Sequence, residues 1–201
     1  MQEHAHEHTR AKAPVLTDHD VYLFREGTHS HLHSKLGCRL LPEGGAHFAV
    51  WAPNASAVSV IGDWNGWNAA QTMLQPRWDG SGIWEGAAPQ AARGQAYKYR
   101  IGSQSGGFTV EKADPFATLC EVPPATASRI WSLEYEWRDE AWMAERGRRN
   151  GLDAPMSIYE LHAGSWRRQD GRFMNYRELA HALGDYIQDL GFTHVELMPI
   201  T

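Results

Sequence analysis

Cysteine is scarce. Cys38 and Cys120 are the two that 201 residues hold, far apart and in no metal-ligand spacing. That excludes a disulfide framework and makes a reducing cytoplasm the expected setting. Runs of lysine or arginine are missing, and the net charge is −5. Nucleic acid and anionic membrane both call for a concentrated positive face, so neither is expected as a partner. No apolar stretch reaches the length of a membrane span, and the N-terminal MQEHAHEHTR lacks the apolar segment of a secretory signal. No cofactor is expected. A composition of 42% hydrophobic and 21% charged residues suits a soluble globular chain of one large or two small domains.

Tryptophan is the exception to this scarcity, with nine residues, and its positions draw attention first. Residues 1–17 are polar and His-rich and read as a disordered tail. Residues 18–37 read as a short turn or helix packing onto the next stretch of chain. His4, His6 and His8 in the tail, and His29, His31 and His33 beyond it, alternate as metal ligands on one strand face would. The polar surroundings and the Gly27-Thr28 break argue against an ordered metal site, and none is expected.

From Gly45 to about Val110 the hydrophobic period is near two. The runs HFAVWAP, AVSVIGDW, GIWEGAAP and QAYKYRIG are separated by the turn clusters PNAS, NGWN, WDGSG and ARGQ. Short strands with this punctuation predict an antiparallel sandwich over residues 18–120. Val58 and Val60 share one face of their strand. Tyr97, Tyr99 and Ile101 share one face of theirs, with Lys98 and Arg100 opposite. Residues 121–154, with Trp131, Trp137 and Trp142, read as an irregular connector.

The period changes after Pro155. MSIYELHA suits a buried strand. Asn175 is placed to cap a helix over YRELAHALGDYIQDL, whose apolar residues follow 3-4 spacing; Glu178 stands at the capping-box position and Gly191 at the natural stop. FTHVELMPI is a second apolar run. Strand, helix, strand in this length predicts a βαβ unit over 155–201 with parallel strands. Both runs read as apolar on both faces, so the unit is expected to exchange fast or self-associate.

FREGTH, FAVWAPNASAVSVIGDWNGWN, SGIWE, YKYRI, KADPFA and above all APMSIYELHAGSWRR, in that order, resemble the bacterial 1,4-α-glucan branching enzyme family, and GFTHVELMPI resembles its second barrel strand. The resemblance runs from about Val21 to the end. It implies a mainly β fold: an immunoglobulin-like antiparallel sandwich of the family-48 carbohydrate-binding type, then the first βαβ unit of an incomplete (β/α)8 barrel. It also implies an α-glucan partner, glycogen or malto-oligosaccharide. Family members transfer an α-1,4-glucan segment to a 6-hydroxyl through a retaining mechanism of aspartate nucleophile and glutamate acid/base. Those carboxylates belong to later barrel strands, so no catalytic residue is assigned here and the chain alone is expected to be inactive. A free-standing glucan-binding module, or the front of a debranching or trehalose-forming hydrolase, are the alternatives.

The resemblance also marks site residues. Trp67 matches a sugar-stacking position and is expected to be exposed beside Lys98, which matches a sugar-contacting lysine. Phe108 stands in the hairpin where related modules present a second tryptophan. Trp64, continuing the alternation of Val58, Val60 and Gly62, is expected to pack inward, and Trp84 to lie in the core. Glu160 and His162 end the first barrel-type strand as scaffold, with Glu160 in buried hydrogen bonds.

Overall fold

The computed structural model describes residues 16–200; the His4, His6 and His8 tail lies outside them. The chain forms two compact units, Met1–Tyr135 and Glu136–Thr201.

The first unit opens with helix α1 (Asp18–Glu26). Its strands are Gly37–Leu40 (β1), Ala46–Trp51 (β2), Ala55–Gly62 (β3), Gln75–Pro76 (β4), Ile83–Ala88 (β5), Ala96–Ser103 (β6), Thr109–Lys112 (β7) and Ser128–Arg129 (β8). They form two antiparallel sheets. One has the order β1-β2-β5-β4; the other runs β3-β6-β7, with β8 also paired to β6. The sandwich predicted from the alternation is therefore present. Phe48 and Val50 from one sheet meet Val58, Val60, Tyr97 and Tyr99 from the other in the main core. Each fully buried side chain of this size contributes about 1.5–3 kcal/mol. Trp84 packs against the same core, its indole N–H donating to the Ala52 carbonyl at 3.1 Å.

The two tyrosine hydroxyls of β6 end on one carboxylate. Asp114 Oδ2 accepts from Tyr97 at 2.7 Å and Tyr99 at 3.2 Å, while Oδ1 accepts from the Phe116 amide at 2.8 Å. Burial raises the Asp114 pKa, and these hydrogen bonds offset that only in part. The KADPFA segment is pinned to the core this way. Chain beyond it still belongs to the sandwich: Ala127, Ser128 and Ile130 are buried, and β8 pairs with β6. The expected boundary at residue 120 is thus too early.

The start of the unit also differs from expectation. Leu16 is buried with Val21, Leu36, Ala49 and Ile83 in a second core on the outer face of the first sheet. Thr17 caps α1 reciprocally with Asp20, accepting from its amide and donating to its carboxylate. Leu16 and Thr17, inside the predicted tail, therefore belong to the folded unit. His29 does not lie on a strand with His31 and His33. Its Nε2 meets Asp20 Oδ1 at 2.9 Å, beside the Lys35 ammonium at 3.0 Å from Oδ2. The described residues contain no grouping that could hold a metal ion.

The second unit holds helix α2 (Glu140–Arg149), strand β9 (Ile158–His162), a small hairpin of β10 (Arg168–Gln169) and β11 (Arg172–Phe173), helix α3 (Tyr176–Leu190) and strand β12 (His194–Met198). α2 interrupts the expected irregular connector, whose residues 130–139 carry no regular structure. It buries no residue, so no apolar stripe announced it. β9 and β12 are parallel, in the register His194–Ile158 to Met198–His162. α3 has the predicted cap and capping box at Asn175 and Glu178 and the predicted left-handed stop at Gly191. Leu179 and Leu183 of α3 cover Leu161 and Ala163, with Tyr159 and Val195 beside them.

Candidate functional site

GDWNGWN crosses from the end of β3 into a tight turn. Gly62 makes the turn possible: a Cβ there would stand 2.5 Å from both the Ala96 carbonyl oxygen and the Trp64 ring. Trp64 folds under it, stacked on Phe48 at 5.5 Å between centroids, with its N–H donating to Thr72 Oγ1 at 3.3 Å. It does pack inward, but from a 3-10 turn at Asp63–Asn65 rather than by continued strand alternation.

Asn65 braces the turn from inside. Buried, it accepts from the Gly62 amide at 3.0 Å and donates to the Val60 carbonyl at 2.9 Å and to Thr72 Oγ1 at 3.0 Å. Gly66 and then Trp67 take left-handed backbone, with φ of 59° and 61°. For a bulky residue this conformation costs about 1–2 kcal/mol and persists only where the surroundings enforce it. The enforcement is visible. The Trp67 amide donates to the Gly62 carbonyl at 3.0 Å, and its indole N–H reaches Asp63 Oδ1 at 3.3 Å. Asp63 Oδ2 in turn accepts from the Ala96 amide at 2.8 Å, tying the turn to β6. The indole is thereby held in one orientation and remains 39% exposed.

Lys98 sits at the same end of the sheet, opposite Ile61 and one residue from the Tyr97–Gly62 pair. Its ammonium donates to Thr126 Oγ1 at 2.8 Å, which leaves two N–H donors for another acceptor. Phe108 does not join this pair. The β6–β7 hairpin that carries it lies beyond Ser103, which pairs with Ala55 at the start of β3. Eight residues of strand, roughly 25 Å, separate the two ends. Phe108 instead borders a shallow cleft with Trp51, Pro53 and Val110. The sandwich thus brings Trp67 and Lys98 to one end and sends Phe108 to the other.

In the second unit, Glu160 is exposed rather than buried in hydrogen bonds. β9 and β12 present Ile158, Glu160, His162, His194, Glu196 and Met198 on the face away from α3, with Glu160 directly opposite Glu196. That face is mixed, not apolar as expected. His162 ends β9 with Nδ1 at 2.8 Å from Ser165 Oγ.

The antiparallel sandwich is of the kind that carbohydrate-binding modules adopt. Residues 35–117 match the family model of carbohydrate-binding module 48, the isoamylase N-terminal domain. The chain as a whole is similar to the N-terminal portion of 1,4-alpha-glucan branching enzymes. It is 65% identical to the 1,4-alpha-glucan branching enzyme of Albidiferax ferrireducens over 92% of this chain and 30% of that protein. It is 60% identical to that of Aromatoleum aromaticum over 92% and 29%, and 48% identical to that of Aquifex aeolicus over 94% and 31%. The chain therefore spans about 30% of the length of these relatives. Among solved structures, Group B Streptococcus pullulanase SAP shares the fold with a TM-score of 0.54 at 21% identity, over 83% of this chain and 24% of that one. The catalytic module of the glycogen-degrading pneumococcal virulence factor SpuA does so with 0.55 at 22% identity, over 82% and 26%.

Proposed function

We propose that the sandwich holds α-1,4-glucan chains at the Trp67–Lys98 end and serves, in glycogen synthesis, the 1,4-α-glucan branching reaction named in its relatives. One observation carries the reading: Trp67 is kept in left-handed backbone by a braced turn that leaves its ring open to solvent. Glucose rings have flat C–H faces that lie on an indole, and their hydroxyls accept from an ammonium such as that of Lys98. A tryptophan held at a conformational cost, with no core to fill, fits a ligand better than it fits folding. The βαβ unit supports the enzymatic side of the reading, because parallel strands joined through a helix are the unit that a (β/α)8 barrel repeats. A cytoplasmic setting fits two cysteines that are both free. No described helix is long and apolar enough to cross a membrane.

Calorimetric titration with maltoheptaose tests the site. Trp67→Ala is expected to weaken affinity about 5- to 10-fold, the lower end of what a stacked aromatic contributes. Its melting temperature should stay close to that of the parent, since the ring removed fills no core and alanine keeps the same left-handed backbone. Unchanged affinity would remove Trp67 from the site.

A further inference from the structure

The turn between β4 and β5 carries another tryptophan without a folding role. Trp78 is 82% exposed, and its indole N–H meets no hydrogen-bond partner among the described residues. The backbone beneath it is nonetheless clamped. Arg77, its guanidinium almost fully buried, bonds Asp79 Oδ2 at 2.8 Å and Glu85 Oε1 at 2.5 Å. Asp79 Oδ1 accepts from the Ser81 amide at 2.9 Å. Arg25 of α1 donates to the Asp79 carbonyl. Helix and turn are thus fastened into one body that holds an indole out.

Tyr22 stands on α1 across from it, 59% exposed. Asp18, Tyr22 and Arg25 follow 3-4 spacing along one helix face. With Trp78 and Asp79 they wall a cleft of about 280 Å³. Its polar groups are not all spent. The Asp79 carboxylate is taken by Arg77 and Ser81. The Asp18 carboxylate, by contrast, is exposed and touches Arg77 only at 3.5 Å. Arg25 keeps N–H donors beyond the one given to Asp79. Two open ring faces, one acceptor and one donor around a small cleft are the complement of a sugar residue: C–H faces for the rings, hydroxyls that donate to the carboxylate and accept from the guanidinium. A protein partner would require about 800 Å² of matched surface per side, far more than this cleft offers.

We infer that the Trp78–Tyr22 cleft is a second α-glucan site, on the edge of the sheet that does not carry Trp67, so that one module grips a polysaccharide at two places. The inference rests on the reading of the sandwich as a glucan binder, and the test separates the two. Indole N–H signals of the full chain are followed by nitrogen-edited NMR during titration with maltoheptaose, with Trp67 and Trp78 assigned from the signals lost in Trp67→Ala and Trp78→Ala. Two signals should move with saturation in the parent. The Trp78 signal should still move in Trp67→Ala, and the Trp67 signal in Trp78→Ala. Tyr22→Ala, a change at an exposed helix position, should weaken the Trp78 titration about 5- to 10-fold and leave the Trp67 titration unchanged. A Trp78 signal that stays still while that of Trp67 moves overturns the second site and spares the first. Stillness of both overturns the glucan reading itself.

Discussion

Asn65 does more for the proposed site than its exposed neighbours do. Its amide satisfies one backbone donor, one backbone acceptor and one hydroxyl, all within the turn that displays Trp67. Asn65→Ala would take its partner from the buried Gly62 amide and Val60 carbonyl, at a cost of about 1–3 kcal/mol. It should also free Trp67 to leave its strained backbone. The expected outcome is a lower melting temperature together with weaker maltoheptaose binding, whereas Trp67→Ala lowers binding alone. Equal binding by Asn65→Ala and the parent would show that the turn needs no brace. At this scale the sequence was partly legible. Trp67 stood out because an indole follows Asn-Gly, where a strand cannot continue. Asn65 did not, because an asparagine in a turn is ordinary until its partners are known. Trp78 was hidden inside WDGSG, which reads as turn punctuation. Phe108 joins Trp67 only through the resemblance, as the aromatic in the hairpin where related modules present a second tryptophan, and a resemblance gives no strand order. That β3 pairs with β6, well separated from it in sequence, is decided by the whole sandwich.

Among the elements, α3 was the most readable because local signals agreed: apolar residues at 3-4 spacing, Asn175 before the first turn, Gly191 after the last. α2 has neither an apolar stripe nor a side-chain cap, and its interior includes Gly147. The remaining cue was charge, with Glu140 in its first turn and Arg146, Arg148 and Arg149 in its last, matching the helix dipole. The start of α3 carries a pH dependence. Arg172 bonds both Glu178 oxygens, at 2.8 and 2.6 Å, and the Asn175 amide donates to Oε2 at 2.9 Å. The Arg172 hydrogen bonds, then that from Asn175, bring the Glu178 pKa down to about 2. A carboxylate depressed on folding stabilises above its unfolded pKa, near 4.3, and loses that contribution as pH falls through its folded value. Amide protection in the first turn of α3 should therefore decline between about pH 4 and pH 2, and Glu178→Gln should abolish that decline while lowering protection at pH 7. A first turn whose protection ignores pH in this window would show that the capping box does not hold it.

At the scale of the molecule the two units differ in how much they bury. The first has a core between its sheets and another under α1. The second has one small cluster under α3, while Ile158 and Met198 remain exposed on the other face of the strand pair. Stability tracks buried apolar area, so the slowest-exchanging amides should lie in β2, β3, β5 and β6 and the faster ones in residues 136–200. The position of the boundary makes the sharper test. A sandwich ending at residue 120 would lose Ile130, fully buried in the main core, and the β8 pairing to β6. Loss of a side chain that size from a core costs about 2–5 kcal/mol, a large share of the stability of a domain this small. A chain cut after Tyr135 should melt within a few degrees of the sandwich transition of the full chain. A chain cut after Cys120 should melt far lower or fail to fold. Equal melting of the two shortened chains would mean that the segment through Ile130 rests on the sandwich without being part of it.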